Sequence, residues 1–381
     1  MDGSKVRIME GMGPQRMIPP NLYMRALESG PVGFLQKISF LKWPISLLAY
    51  AFTMHTAVNV GMTFTRIHNM MKVLDIASFV TRSFFAALNL QLAFEISTPS
   101  KRLLQRLSLA DGDDTHSRCV SWGSLLKAFV FGYLMLEVAI SADFVLNGDI
   151  SEYCRDFLYG TNATTVNVTI EGIEAAVFFN LTFFDILIII PGLLMSDYVT
   201  ASLKVKQRIQ NFKDIVSRNV KKGLTQSQDV KSYQDMSYEV WKDMKRIDSI
   251  YSTLVFLWFL DIIINLVLSV RSLAKGVSSR QSALDSVYYI VIFLVLSLSA
   301  SSVDIEAKDL LQEVKQLRST INGNDWQSSG QVLLLETGLQ TSRLVLTSGH
   351  FCVIDRPFIL GVVGAIATYT ILLVQLTPAG T

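Results

Sequence analysis

Seven stretches of about 20 mostly apolar residues punctuate this chain, and a helix of that length matches the ~30 Å hydrocarbon core of a bilayer. They run roughly Trp43–Phe64, Val73–Ile96, Trp122–Leu146, Ile173–Met195, Tyr251–Val270, Val287–Val303 and Phe358–Leu376. Hydrocarbon offers no partners to backbone N–H and C=O groups, so each such segment satisfies them internally as a helix. Composition agrees. The chain is 50% hydrophobic and 17% charged with mean hydropathy +0.37, too apolar for a soluble globular protein of 381 residues. The expected fold is all-α: a polytopic membrane protein with seven transmembrane helices. Asp75, Arg82 and Glu95 interrupt the second segment, whereas the fourth and fifth would insert on almost any hydropathy scale.

Charge sets the orientation. Lys204, Lys206, Arg208, Lys213, Arg218, Lys221, Lys222, Lys231, Lys242, Lys245 and Arg246 lie between the fourth and fifth segments. The third-to-fourth connection has only Arg155 against Asp149, Glu152, Asp156 and Glu171. Positive charge stays in the cytoplasm, so the first connection is inside and the second outside. The outside loop, 147–171, also carries the glycosylation acceptors Asn162-Ala-Thr and Asn167-Val-Thr, usable only on the lumenal side. Counting crossings gives a cytoplasmic N-terminus and an extracellular C-terminus. The opening MDGSKVRIMEGMGPQRMIPP lacks the short apolar run and cleavage site of a signal peptide, so the first span is expected to do the targeting. This sidedness is the reverse of a G-protein-coupled receptor, whose helix-end signals are also missing here.

The expected organisation is a cytoplasmic segment 1–42, helices one to four over 43–201, an intracellular helical connection 202–250, helices five and six over 251–303, a second intracellular connection 304–356, and helix seven with a short external end over 357–381. Val230, Tyr233, Met236, Val240, Met244 and Ile247 recur at three- and four-residue steps, extending the fifth helix below the membrane. Leu310, Leu311, Val314 and Leu317 do the same for the sixth. Asn322-Gly-Asn-Asp breaks that helix, and VLLLETGLQTSRLVLTSGHF supplies a further apolar-periodic stretch. These long intracellular extensions form an anchor block whose apolar stripes require partners, which points to oligomerisation. The basic connection lies between two spans and carries no interleaved nucleic-acid motif, so it reads as a solvated orientation signal and no nucleic-acid partner is expected.

Chemistry of the enzymatic kind is not expected. The chain has no Cys/His metal spacing, Gly-rich phosphate loop or nucleophile elbow, so neither a cofactor nor a metal is expected. Cys119, Cys154 and Cys352 do not pair, since only Cys154 falls outside, and His55, His68, His116 and His350 are scattered. Ionisable residues inside spans mark protein- or water-facing surfaces. Glu137 and Asp143 in the third span, Asp185 in the fourth and Asp261 in the fifth are such residues, with Lys127 near the inner interface. An outward-facing pocket between the middle helices could offer Phe183, Phe184 and Trp258 for stacking and Asp185 as a polar anchor, with Glu137 and Asp261 as further pocket candidates.

On a helical wheel, Gly361, Gly364, Ala365, Thr368, Leu372 and Gln375 of the last segment share one face, and Ile359, Val363, Ile366, Leu373 and Val374 the other. That face fits either close packing of helices in lipid or a pore lining. The closing run TYTILLVQL resembles the Thr-Tyr, five apolar residues, Gln-Phe signature of arthropod gustatory receptors, and SGHFCVIDRPFILGVVGAIA resembles the approach to it. The specific match spans Ser348–Leu376 and is topological elsewhere. Leu376 stands where the family has Phe.

The resemblance implies a plasma-membrane channel of four like or unlike subunits, embedded in the lipid bilayer, passing cations when a small-molecule tastant binds. It assigns the pore and gate to Leu372, Gln375 and Leu376, and leaves Gly361, Gly364 and Ala365 to pack on a neighbouring helix. Thr368 and Tyr369 belong to the motif, Tyr369 as a structural contact. A secondary transporter is the alternative, since it too would bury carboxylates such as Asp185 and Asp261, but the chain shows no internal repeat and only one Pro-Gly break, Pro191-Gly192.

Overall fold

The computed structural model describes Met54 and residues 70–109, 116–147, 170–222, 227–274, 279–320 and 326–375, with the side chains of 70–83 and 170–190 among those outside that description. Apart from Met54, the expected first span, Trp43–Phe64, lies outside the described residues, as do the acceptors Asn162 and Asn167 and Leu376. Seven helices are described: α1 (Met70–Leu109), α2 (His116–Asn147), α3 (Ile170–Lys222), α4 (Ser227–Ala274), α5 (Ser279–Thr320), α6 (Trp326–Thr341) and α7 (Arg356–Gln375). Among the described residues, Trp122–Ile140, Asp229–Val270 and Ala283–Thr320 contain windows long and apolar enough to cross a membrane, and Arg356–Leu372 is a shorter apolar helix.

Helix length explains the architecture. The 53 residues of α3, 48 of α4 and 42 of α5 rise about 80, 70 and 60 Å, each roughly twice the hydrocarbon thickness. Their surplus turns pack on one another beyond the membrane-spanning part. Val230, Tyr233, Val240, Met244 and Ile247 of α4 are buried, as are Leu310, Val314 and Leu317 of α5. Val332, Leu335 and Leu339, at helical spacing on the short α6, seal the block. One apolar cluster runs from the spans into this block, so the two share a core.

The helix that carries the fourth expected span, Ile173–Met195, runs on into the expected intracellular helical connection as far as Lys222. Val205, Ile209, Phe212 and Val216 form its buried stripe, which the density of lysines around them obscures in the sequence. Nor are all of those basic residues solvated. Lys204 is 2% exposed and donates to Ser108 Oγ at 3.1 Å. Arg208 pairs with Asp243, which is fully buried and lies 3.4 Å from Arg106, while Arg106 also reaches Glu239 at 2.8 Å. Lys213 bonds Glu306 at 2.7 Å, and Gln210 donates to the same carboxylate at 2.6 Å. Burial opposes ionisation of Glu306, yet these two bonds outweigh it and hold its carboxyl below the ordinary range. The bond to Glu306 raises the Lys213 ammonium above its own.

A second correction concerns the stretch after Asn322. It is helical only to Thr341; Thr347–Ser348 then pairs antiparallel with Cys352–Val353, strands β1 and β2, in the register Thr347↔Val353 and Ser348↔Cys352. The chain reverses through Gly349 and His350, both with φ near +65° (65° and 63°), a region open to glycine and disfavoured for histidine. His350 is held there by its neighbours on α4, as described below.

Candidate ligand pocket and pore helix

An aromatic and acidic cluster joins α2, α3 and α5. Tyr133 of α2 stacks on Tyr288 of α5 with centroids 3.9 Å apart, and Phe129, one turn earlier, stacks on the same ring at 6.0 Å. Tyr288 meets Tyr289 edge-on at 5.3 Å. Tyr133 donates its hydroxyl to Asp285 at 2.6 Å, and both residues are buried. Glu137, 3% exposed, stands one turn beyond Tyr133 on α2; since α2 and α5 run antiparallel here, it shares the level of Asp285. Gly192 of α3 completes the contact. A Cβ there would lie 2.8 Å from the Tyr288 hydroxyl and 3.0 Å from Val130, so only glycine lets α3 approach this closely. Stacked faces, two carboxylates and a hydroxyl can recognise a small amphipathic molecule that donates hydrogen bonds.

Of the residues expected to form a pocket, Glu137 lies in this cluster. Trp258 instead is fully buried against Tyr198, at 6.3 Å, and Tyr198 also meets Tyr251 at 5.5 Å. Asp185 precedes Tyr198 by thirteen residues, about 20 Å of α3, so Trp258 does not share its level. Asp261, half-buried, accepts from Asn265 Nδ2 at 2.7 Å within α4. The side chains of Phe183, Phe184 and Asp185 lie outside the description. Sequence reading missed Tyr133, Asp285 and Tyr288. Their signal was available: Asp285 and Tyr288 at i, i+3 and Tyr133 and Glu137 at i, i+4 each place a carboxylate and a ring on one face.

Helix α7 is held by a single narrow stripe. Phe358, Ile359, Val362 and Ile366 rest against the core, with Phe358 edge-on to Phe259 of α4 at 5.3 Å. Thr370 is half-buried as well, and the other side chains described on it are exposed, including Gly361, Gly364, Ala365, Thr368, Leu372 and Gln375. A Cβ on Gly361 or Gly364 would touch nothing among the described residues, so no described helix packs closely on them. Val363, expected on the opposite face, is 47% exposed, and Tyr369, expected as a structural contact, is 60% exposed. The wheel put the boundary too far round because the packed stripe is only one residue wide per turn. Thr368 turns its hydroxyl back to the Gly364 carbonyl at 2.8 Å, so it adds no unsatisfied donor to that face.

The chain enters α7 through the hairpin, and α4 grips the hairpin. Asp248 Oδ1 accepts from the Thr347 amide at 2.9 Å and its hydroxyl at 2.7 Å, and Asp248 Oδ2 lies 3.2 Å from His350 Nδ1. Ser252 accepts the His350 amide on its hydroxyl at 2.7 Å and the Gly349 amide on its carbonyl at 2.9 Å. Asp355 then caps α7, accepting the Phe358 amide at 2.9 Å. Three amides of the hairpin, two of them in its left-handed turn, are therefore satisfied by α4, which fixes where α7 starts.

The family model described as 7tm Chemosensory receptor matches residues 33–379. No curated protein matches in sequence. In fold, the chain is similar to the insect olfactory receptor OR5 from Machilis hrabei in complex with eugenol, with TM-score 0.69 and 12% identity over 87% of this chain and 88% of that one. The structure titled without eugenol gives TM-score 0.64 and 13% identity over the same shares.

Proposed function

Since the chain belongs to the 7tm chemosensory receptor family and is a receptor rather than an enzyme, we propose that it is a gustatory-type, ligand-gated, non-selective cation channel of the plasma membrane. One observation carries this reading: α7 bears the closing TYTILLVQ run, yet apart from one stripe its described surface is left uncovered by the other described residues. Four copies brought together on that surface would bury it and enclose a path lined by Leu372, Gln375 and Leu376. Small residues at Gly361, Gly364 and Ala365 permit the approach. Neutral amides of Gln375 would give modest charge selectivity, and an apolar ring at Leu376 would close by dewetting. The ligand is assigned to the cluster of Tyr133, Glu137, Asp285 and Tyr288, with the gustatory type resting on the closing motif.

Currents recorded from cells expressing the chain under a tastant panel test this, with glycan mapping at Asn162 and Asn167 reporting sidedness. Leu376→Ala is expected to raise unliganded current, and Gln375→Ala to alter ion preference; unchanged leak and permeability would remove both from the gate. Saturable solute uptake without conductance would instead establish a transporter. Gly192→Ala is expected to push on Tyr288 and shift the half-maximal ligand concentration by about tenfold at equal surface expression, the scale of an overpacked contact. An unshifted response would place the ligand elsewhere.

A further inference from the structure

A cavity of about 390 Å³ opens between the lower part of α5, the end of α6 and the hairpin. Asp304, Lys308, Leu311, Arg343, Val353 and Asp355 line it. Its level is fixed by two transitions in the chain. The apolar run of α5 gives way at Asp304 to Glu306, Lys308 and Asp309, and the apolar run of α7 begins just after Asp355 and Arg356. Both changes mark the boundary between hydrocarbon and water, and the cavity bridges them. Whatever fills it stands among inner-leaflet headgroups.

The lining holds two charges of each sign, Asp304 and Asp355 against Lys308 and Arg343. Lys308 sits 2.6 Å from Asp304, while the exposed Arg343 side chain makes no ion pair among the described residues. Asp355 spends one oxygen on capping α7. The other accepts no hydrogen bond among the described residues. An unpaired guanidinium and a half-used carboxylate, set against an apolar wall of α5 and α6, match a phosphate diester carrying a primary ammonium. A planar fork suits phosphate, and an ammonium with N–H groups can donate to a carboxylate where a quaternary one cannot.

We propose that this cavity seats the headgroup of an inner-leaflet phosphatidylethanolamine, its phosphate on Arg343 and Lys308 and its ammonium on Asp355. The site bears on α7 directly, because Asp355 is both a wall of the cavity and the cap of the proposed pore helix. The occupant is a lipid rather than a soluble phosphoethanolamine, since the cavity opens at the headgroup level and carries an apolar wall for the glycerol and first chain carbons.

Full-length protein purified in detergent and incubated with equal amounts of phosphatidylethanolamine, phosphatidylcholine and phosphatidylglycerol tests this by native mass spectrometry. Phosphatidylethanolamine is expected to be retained about tenfold over the other two, one per chain, the ratio of one charge-assisted hydrogen bond. Arg343→Gln is expected to lower its retention about tenfold and Arg343→Lys to restore much of it. Asp355→Asn keeps a capping oxygen and is expected to level the ethanolamine and choline lipids. Unchanged melting temperatures establish that these variants fold. Retention unaffected by Arg343→Gln, preference for the glycerol lipid, or displacement by equimolar free phosphoethanolamine would overturn the proposal. So would a map of the assembled protein showing a neighbouring subunit's side chains in the cavity. Lipid retention is read without current, so a silent channel that holds the lipid sinks the channel reading alone, and a tastant-gated channel that does not hold it sinks only this site.

Discussion

Asp243→Ala is expected to destabilise the folded chain by about 3–5 kcal/mol, the scale of breaking a buried ion pair from one side. Asp243 is fully buried between Arg208 of α3 and Arg106 of α1, joining three helices below the membrane. Alanine leaves the Arg208 guanidinium, only 13% exposed, without its carboxylate. Arg106 is a third exposed, so solvent screens its share and the larger part of the loss is assigned to Arg208. Thermal unfolding in detergent measures this, with Asp243→Asn, which keeps an acceptor, falling between. A melting temperature unmoved by Asp243→Ala would mean the network is solvated in the assembled protein.

Asp248→Ala is expected to produce the largest functional loss outside the proposed pore lining. The side chain, 19% exposed, makes two hydrogen bonds to Thr347 and contacts His350. Losing charge-assisted bonds of this kind frees the hairpin by about 2–3 kcal/mol, a factor of about 30 to 150 in its latched population. Movement of α4 then no longer carries the start of α7 with it. Ligand-evoked current should fall more than tenfold at saturating ligand, while single-channel conductance stays the same because no pore residue has changed. Asp248→Asn, which retains the acceptor for the Thr347 amide, should lose less. Equal currents from all three proteins would show that the hairpin does not transmit gating.

What was legible in the sequence follows from what has a period. The stripe Val230–Ile247 on α4 and the Leu310–Leu317 stripe on α5 were visible because three- and four-residue spacing survives any tertiary arrangement. The extension of α3 was not, since seven basic residues from Lys204 to Lys222 mask the four apolar ones among them. A two-residue strand has no period at all, and this hairpin is fixed by Asp248 and Ser252, about 100 residues earlier. The pocket shows the same limit. A wheel tells which face Trp258 shares but not its level against α3, and the contact with Tyr198 decides that level. Glu137, Tyr133, Asp285 and Tyr288 were each readable as polar or aromatic residues in spans; only the antiparallel register of α2 and α5 brings them into one layer.

For α7, the resemblance assigned Leu372, Gln375 and Leu376 to a pore and left Tyr369 as a structural contact. The motif marks Thr368, Tyr369 and Gln375, and the structure leaves those positions uncovered while seating Phe358, Ile359, Val362 and Ile366 on the core. Cysteines placed singly from position 358 to 376, on a background lacking Cys119, Cys154 and Cys352, test the central claim most directly when a charged thiol reagent is applied to open channels. Rapid block is expected at Thr368, Leu372 and Gln375, with Phe358, Ile359, Val362 and Ile366 silent. Block confined to the second set, or at no position along the helix, would contradict a pore lined by α7.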